Sequence, residues 1–153
     1  MIRKMPLPNL KKISKPSFFS GNKVHYGQRI RIYSDKEFIR VLERERERAN
    51  RNRHHFSLIV LEFGLTKMDE ATLRSCIGKI TKRIRIIDEI GWYRPECLGI
   101  ILPYTSSRGA RKVSEGIVES IDFRIPISTC TIYTYPPGYD VYKQEISLFG
   151  RRS

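Results

Sequence analysis

Apolar positions along the chain fall into short blocks whose spacing alternates between that of a helix and that of a buried strand. Phe38, Val41 and Leu42 share one helical face. Ser34 with Glu37 three places on is a capping-box signature, which starts this helix at Ser34. The helix runs on into the charged stretch Glu43–Arg53. There Glu43 with Arg46 and Glu45 with Arg48 pair at i,i+3, while Arg40, Arg44 and Arg48 repel at i,i+4, so this end is expected in solvent. Phe56–Phe63 (FSLIVLEF) is continuously apolar and of strand length, which predicts a strand buried on both faces, ended by Gly64.

A second helix is predicted over Asp69–Arg85, with Leu73, Ile77, Ile80 and Ile84 on one stripe. Ile86–Tyr93 reads as a strand, Arg94-Pro95-Glu96 as a tight turn and Cys97–Leu102 as an antiparallel strand broken by Pro103. Thr105 or Ser106 caps a third helix that turns Ala110, Val113, Ile117 and Ile121 inward, and Ile125–Tyr135 is a last strand before Pro136-Pro137-Gly138. The order is a helix followed by β-α-β-β-α-β. That makes the fold class α+β, a ferredoxin-like split βαβ sheet with helices packed on one face. Residues 1–33 are expected to be a basic flexible arm with a short extended piece near Arg29–Tyr33. Residues 34–138 form the domain, and 139–153 an irregular tail.

Composition adds placement rather than class. The 153 residues are 40% hydrophobic and 29% charged, ordinary for a water-soluble domain. No apolar run approaches the roughly 18–20 residues that span a bilayer, and the N-terminus lacks the apolar segment of a secretory signal. Of the net charge of +13, residues 1–55 carry +10. That basic third is either a solvated face or a surface for phosphates, meaning nucleic acid or an anionic membrane. Cys76, Cys97 and Cys130 are odd in number and widely spaced, which fits reduced thiols in the cytoplasm better than a disulfide framework or a zinc site.

Few side chains are arranged for chemistry. His54-His55 precedes a strand, where neighbours face opposite ways, so the pair is a poor metal chelate. Trp92, Tyr93, Tyr133 and Tyr135 lie on strands and read either as core and contact residues or as a stacking platform for single-stranded nucleic acid.

Three stretches together resemble a known family: the helix Phe38…Leu42…Arg48-Ala49 leading into Phe56–Phe63, the hairpin Asp88–Pro103, and Gly109-Ala110 with its helix followed by Ile127–Pro136. From Phe38 to Tyr135 the chain is similar to GGDEF domains, the diguanylate cyclase (nucleotidyl cyclase-like) fold. The five signature positions read Arg94, Pro95, Glu96, Cys97 and Leu98. The resemblance implies that the two lost glycines close the approach of a guanine nucleotide. It also implies that Cys97 replaces an acid with a poor hard-cation ligand. Glu62 and Glu96 remain as acidic remnants of a metal site, Gly64 stands where a second acid is expected, and the link from Gly64 to Leu73 is short. On this basis the chain is expected to have no catalytic residues, no resident metal or cofactor and no enzyme activity.

One feature of the family is retained. Arg85-Ile-Ile-Asp88 reads RxxD, with five residues between Asp88 and Arg94, the spacing of the family's inhibitory site for cyclic di-GMP. An Arg fork can grip a phosphate or the Hoogsteen edge of guanine, and an Asp can accept from guanine N–H groups. The alternative is a local ion pair that fixes the turn. The resemblance extends to diverged GGDEF-like domains ahead of bacterial sugar transferases of exopolysaccharide synthesis, which implies a regulatory or docking role with a protein partner. A basic nucleic-acid-binding module built on residues 1–55 is the competing reading.

Overall fold

A computed structural model describes residues 24–26, 30–64, 69–121, 127–136 and 142–145. Seven strands form one sheet in the order β1-β2-β4-β5-β3-β6-β7. They are β1 (Val24–Tyr26), β2 (Ile30–Tyr33), β3 (Phe56–Phe63), β4 (Glu89–Arg94), β5 (Cys97–Pro103), β6 (Ile127–Tyr135) and β7 (Tyr142–Glu145). Helices α1 (Asp35–Asn52), α2 (Glu70–Thr81) and α3 (Ser107–Ser120) complete the fold. All neighbouring pairs are antiparallel except β2 with β4. The inner four, β4-β5-β3-β6, are the split βαβ sheet expected from the element order.

β3 is the centre, paired with β5 from Phe56↔Pro103 to Glu62↔Cys97 and with β6 from Phe56↔Tyr135 to Phe63↔Ile127. Its side chains alternate between two cores. Ile59, Leu61 and Phe63 pack with Leu73, Ile77 and Ile80 of α2 and with Ala110 and Ile117 of α3. Phe56, Leu58 and Val60 pack with Phe38, Val41, Leu42 and Ala49 of α1. The helices therefore cover both faces, which corrects the expectation of one. An amphipathic stripe declares that a helix packs on the sheet, but not on which side.

α1 approaches the sheet closely because two glycines face each other. Gly91 of β4 pairs with Gly99 of β5. A Cβ on Gly91 would sit 2.7 Å from Phe38 Cδ2, and one on Gly99 would sit 2.6 Å from Phe38 Cζ. The Phe38 ring fills the slot and meets Tyr93 edge-on, 6.4 Å between centroids.

Local signals hold at most boundaries. Ser34 and Glu37 form the reciprocal capping box, Asp69 caps α2 and Ser106 caps α3. α2 stops at Thr81 rather than Arg85 and β4 starts at Glu89 rather than Ile86, because Arg85–Asp88 closes a turn in which the Asp88 N–H donates to the Arg85 carbonyl at 3.0 Å. Ile86 and Ile87 are left exposed. The charged end of α1 is not wholly in solvent, since Glu45 and Ala49 are buried. β2 is the short extended piece expected near Arg29–Tyr33, whereas β1 falls in the rest of the expected flexible arm and β7 in the expected irregular tail. The start of the arm (1–23), Ile125 of the last predicted strand and Pro137-Gly138 lie outside the described residues.

Candidate functional site

The β4–β5 hairpin carries the positions that the resemblance singles out. Arg94 pairs with Cys97 next to an irregularity in the ladder, and Glu96 turns the chain with φ 61°. The Glu96 carbonyl accepts from the Phe63 N–H at 2.7 Å, which ties the turn to the end of β3. Arg94 lies over the Tyr93 ring at 5.3 Å, a cation–π contact that holds its stem along the sheet. Cys97 points into the core under α1 and Leu98 into the opposite core. Burial pushes the Cys97 thiol up to about 11, against a smaller lowering by Arg94. Burial likewise raises the Tyr93 hydroxyl to about 12.

Glu62 ends β3 on the exposed side, where its Oε2 accepts from Thr129 Oγ1 at 3.0 Å. Across the ladder from it stands Cys97, a neutral thiol at ordinary pH. The donors at this end are thus two carboxylates, one of them hydrogen-bonded to a threonine, beside a thiol that hard cations do not favour. Among the described residues no group of three or more His, Cys, Asp or Glu side chains could hold a metal ion. The residues present do not fit a two-metal centre.

Arg85 and Asp88 sit at the opposite end of the sheet, in the corner between α2 and β4. The Asp88 side chain is 2% exposed and that of Arg85 53%. Asp88 Oδ2 accepts from the Arg85 backbone N–H at 2.6 Å and from Nε at 3.4 Å, and Oδ1 accepts from Nη2 at 3.0 Å. Nη2 also donates to the Pro103 carbonyl and to Thr105 Oγ1, each at 2.9 Å. Thr105 is anchored in turn, because its carbonyl accepts from Ser57 Oγ at 2.7 Å. Both Asp88 oxygens are engaged, so this residue braces the guanidinium. Nη1 takes part in none of these bonds, and the Arg85 side chain as a whole is half-exposed.

Pro103 and Thr105 are partners that sequence reasoning missed. Thr105 stood out only as a helix-cap candidate, and nothing in the chain's spacing connects it to Arg85. His54 and His55 are the loop pair expected before β3. The His54 side chain is 7% exposed, donates from Nε2 to Glu45 Oε1 at 3.1 Å, and stacks on Tyr104 at 4.3 Å. The strand aromatics serve the core, with Trp92, Tyr93 and Tyr135 buried and Tyr133 packed against the α1 cluster. Under α1, Glu89 receives a hydrogen bond from Tyr33, and burial raises its pKa above the usual carboxylate value.

No family model matches the sequence, and no curated protein does. Solved structures do match. A DGC (diguanylate cyclase) protein from Thermotoga maritima superposes with a TM-score of 0.55 at 19% identity, over 69% of this chain and 83% of that one. The GGDEF domain of YfiN (TpbB) from Pseudomonas aeruginosa matches with a TM-score of 0.57 at 18% identity, over 73% and 76%. The GGDEF domain of DgcB from Caulobacter crescentus, solved in complex with c-di-GMP, matches with a TM-score of 0.58 at 16% identity, over 74% and 78%. The expectation that this chain is no enzyme does not stand beside these structures. It was drawn from the substitutions at Arg94–Leu98, yet the solved domains of this architecture are diguanylate cyclases. The chain has the fold of GGDEF domains.

Proposed function

We propose that the chain is a cytoplasmic GGDEF-fold signalling domain that binds cyclic di-GMP at the Arg85–Asp88 corner and relays it through a protein partner. The braced guanidinium carries this reading. Asp88, Pro103 and Thr105 fix Arg85 on its inner side, which leaves a cation with its orientation already set to meet a phosphate or the Hoogsteen edge of guanine. The GGDEF domain of DgcB, which shares this fold, was solved with c-di-GMP. Exposed Ile86 and Ile87 beside Arg85 give the corner apolar area for a partner to cover. A bacterial sugar transferase of exopolysaccharide synthesis is the partner class that the sequence resemblance nominates.

Calorimetric titration with cyclic di-GMP tests the ligand. Saturable heat that disappears in Arg85→Ala supports it, and no heat from folded wild-type protein refutes it.

A second reading rests on α1, whose outer face exposes Arg40, Arg44, Arg48 and Arg51. With the basic residues before it, that face suits nucleic acid. Such binding would collapse steeply as salt rises, whereas a docked dinucleotide would be less affected.

A further inference from the structure

A cleft of about 310 Å³ opens at the C-terminal end of α1, lined by Ala49, Asn50, Arg53, His54, His55, Tyr135 and Pro136. It belongs to neither the hairpin nor the Arg85 corner. Its volume is at the low end of the roughly 300–1,000 Å³ typical of small-molecule pockets.

Four observations decide what it would take. First, no carboxylate lines it, and Arg53 supplies a guanidinium. The nearby Glu45 is turned away, its two oxygens engaged by His54 Nε2 at 3.1 Å and Arg48 Nη1 at 3.4 Å. Second, the His54 side chain is largely covered and its buried Nδ1 has no hydrogen-bond partner among the described residues, although a lone buried polar atom is costly. With Nε2–H given to Glu45, Nδ1 of the ring is a buried acceptor, so His54 walls the cleft rather than supplying a donor to it. Third, Asn50 Oδ1 accepts from the Tyr135 hydroxyl at 2.7 Å, which leaves the amide NH₂ of Asn50 as a donor. Fourth, the Tyr135 ring stacks on Phe56 at 5.3 Å and carries Arg46 at 5.4 Å, so it is not free to stack a base. The wall is rich in donors, carries a cation and lacks an aromatic platform.

We propose that this cleft binds the phosphate group of a small phosphorylated molecule. Arg53 and the Asn50 amide are its donors. Arg53 holds a left-handed backbone, φ 54°, and so does Tyr104 on the other side of His54, φ 57°. At Arg53 this conformation is that of the α1 C-cap, whose N–H donates to the Ala49 carbonyl.

Titration of the full chain with inorganic phosphate at fixed ionic strength, followed by backbone amide shifts, tests this. Saturable shifts at Asn50, Arg53 and His54 are expected, weakened at least tenfold in Arg53→Gln. They should be lost in Asn50→Asp, which keeps the acceptor for Tyr135 but adds a negative charge. A parallel titration with glycerol phosphate separates the sources. Tighter binding than inorganic phosphate identifies an organic phosphate, and equal binding identifies the free ion. Shifts that grow linearly, spread along the outer face of α1, or persist unchanged in both variants would overturn the proposal and reduce the effect to screening of the basic surface.

Discussion

Asp88 closes the corner between α2 and β4 with a buried carboxylate that accepts from a backbone N–H and from a guanidinium. Replacing it with Ala strands the Arg85 N–H, and a loss of about 1–3 kcal/mol is expected by chemical denaturation. Arg85→Ala takes the cation from the buried Asp88 carboxylate and should cost at least as much. Glu89 behaves differently. Burial raises its pKa, the bond from Tyr33 and the nearby Arg44 and Arg48 work against the rise, and Glu45 adds to it. The folded chain therefore holds this proton more tightly than the unfolded chain. The stability it contributes is present below the ordinary carboxylate pKa and is lost as pH rises through the raised folded value. Glu89→Gln keeps the acceptor for Tyr33, so its melting temperature should exceed that of the wild type at pH 7 and the gain should vanish near pH 4. A gain that does not change with pH would refute this account of Glu89. Residue identity alone made Arg85 and Asp88 visible as a pair. It did not reveal that Asp88 is a brace, because that depends on a carbonyl and a threonine eighteen and twenty positions away.

At the scale of elements, α1 is set by its cap and by the slot beneath it. Glu37 is held below the usual carboxylate range mainly by the Ser34 backbone N–H, and also pairs with Arg31. Glu37→Ala should cost about 1 kcal/mol, measured by denaturation at neutral pH. Gly99→Ala forces a Cβ into the Phe38 ring, an overpacking expected to cost about 1–3 kcal/mol. Phe38→Leu in the same chain should recover part of that loss, and strictly additive losses would mean that the slot is not what seats the helix. Most elements were legible because their signals are local: the unbroken apolar run of β3, the capping box, the Arg94-Pro95 turn. β7 was not, since Tyr-Lys-Gln-Glu has no apolar pattern and owes its strand to pairing with β6. The cleft at the end of α1 was also hidden, because it is made by a helix end meeting a strand end more than eighty residues later.

For the whole molecule, the sheet separates two ends with different chemistry. The hairpin end holds Glu62, Glu96 and a buried thiol, while the other end gathers Arg85, Arg53, His54 and Tyr104. Among the described residues no helix is long and apolar enough to cross a membrane. The three cysteines are buried and form no disulfide, and burial raises Cys130 as well as Cys97 to about 11. Alkylation of the folded chain at pH 8 should therefore be slow until denaturant is added. The basic third gives the molecule its long-range field, but the specificity proposed here rests on one oriented guanidinium. Calorimetry of cyclic di-GMP binding to the wild type and to Arg85→Ala, at moderate salt and with both proteins shown to be folded, tests that most directly. Saturable binding is expected in the wild type, with at least a tenfold loss in the variant. Absence of binding to the wild type, or equal affinity in the two, would contradict it.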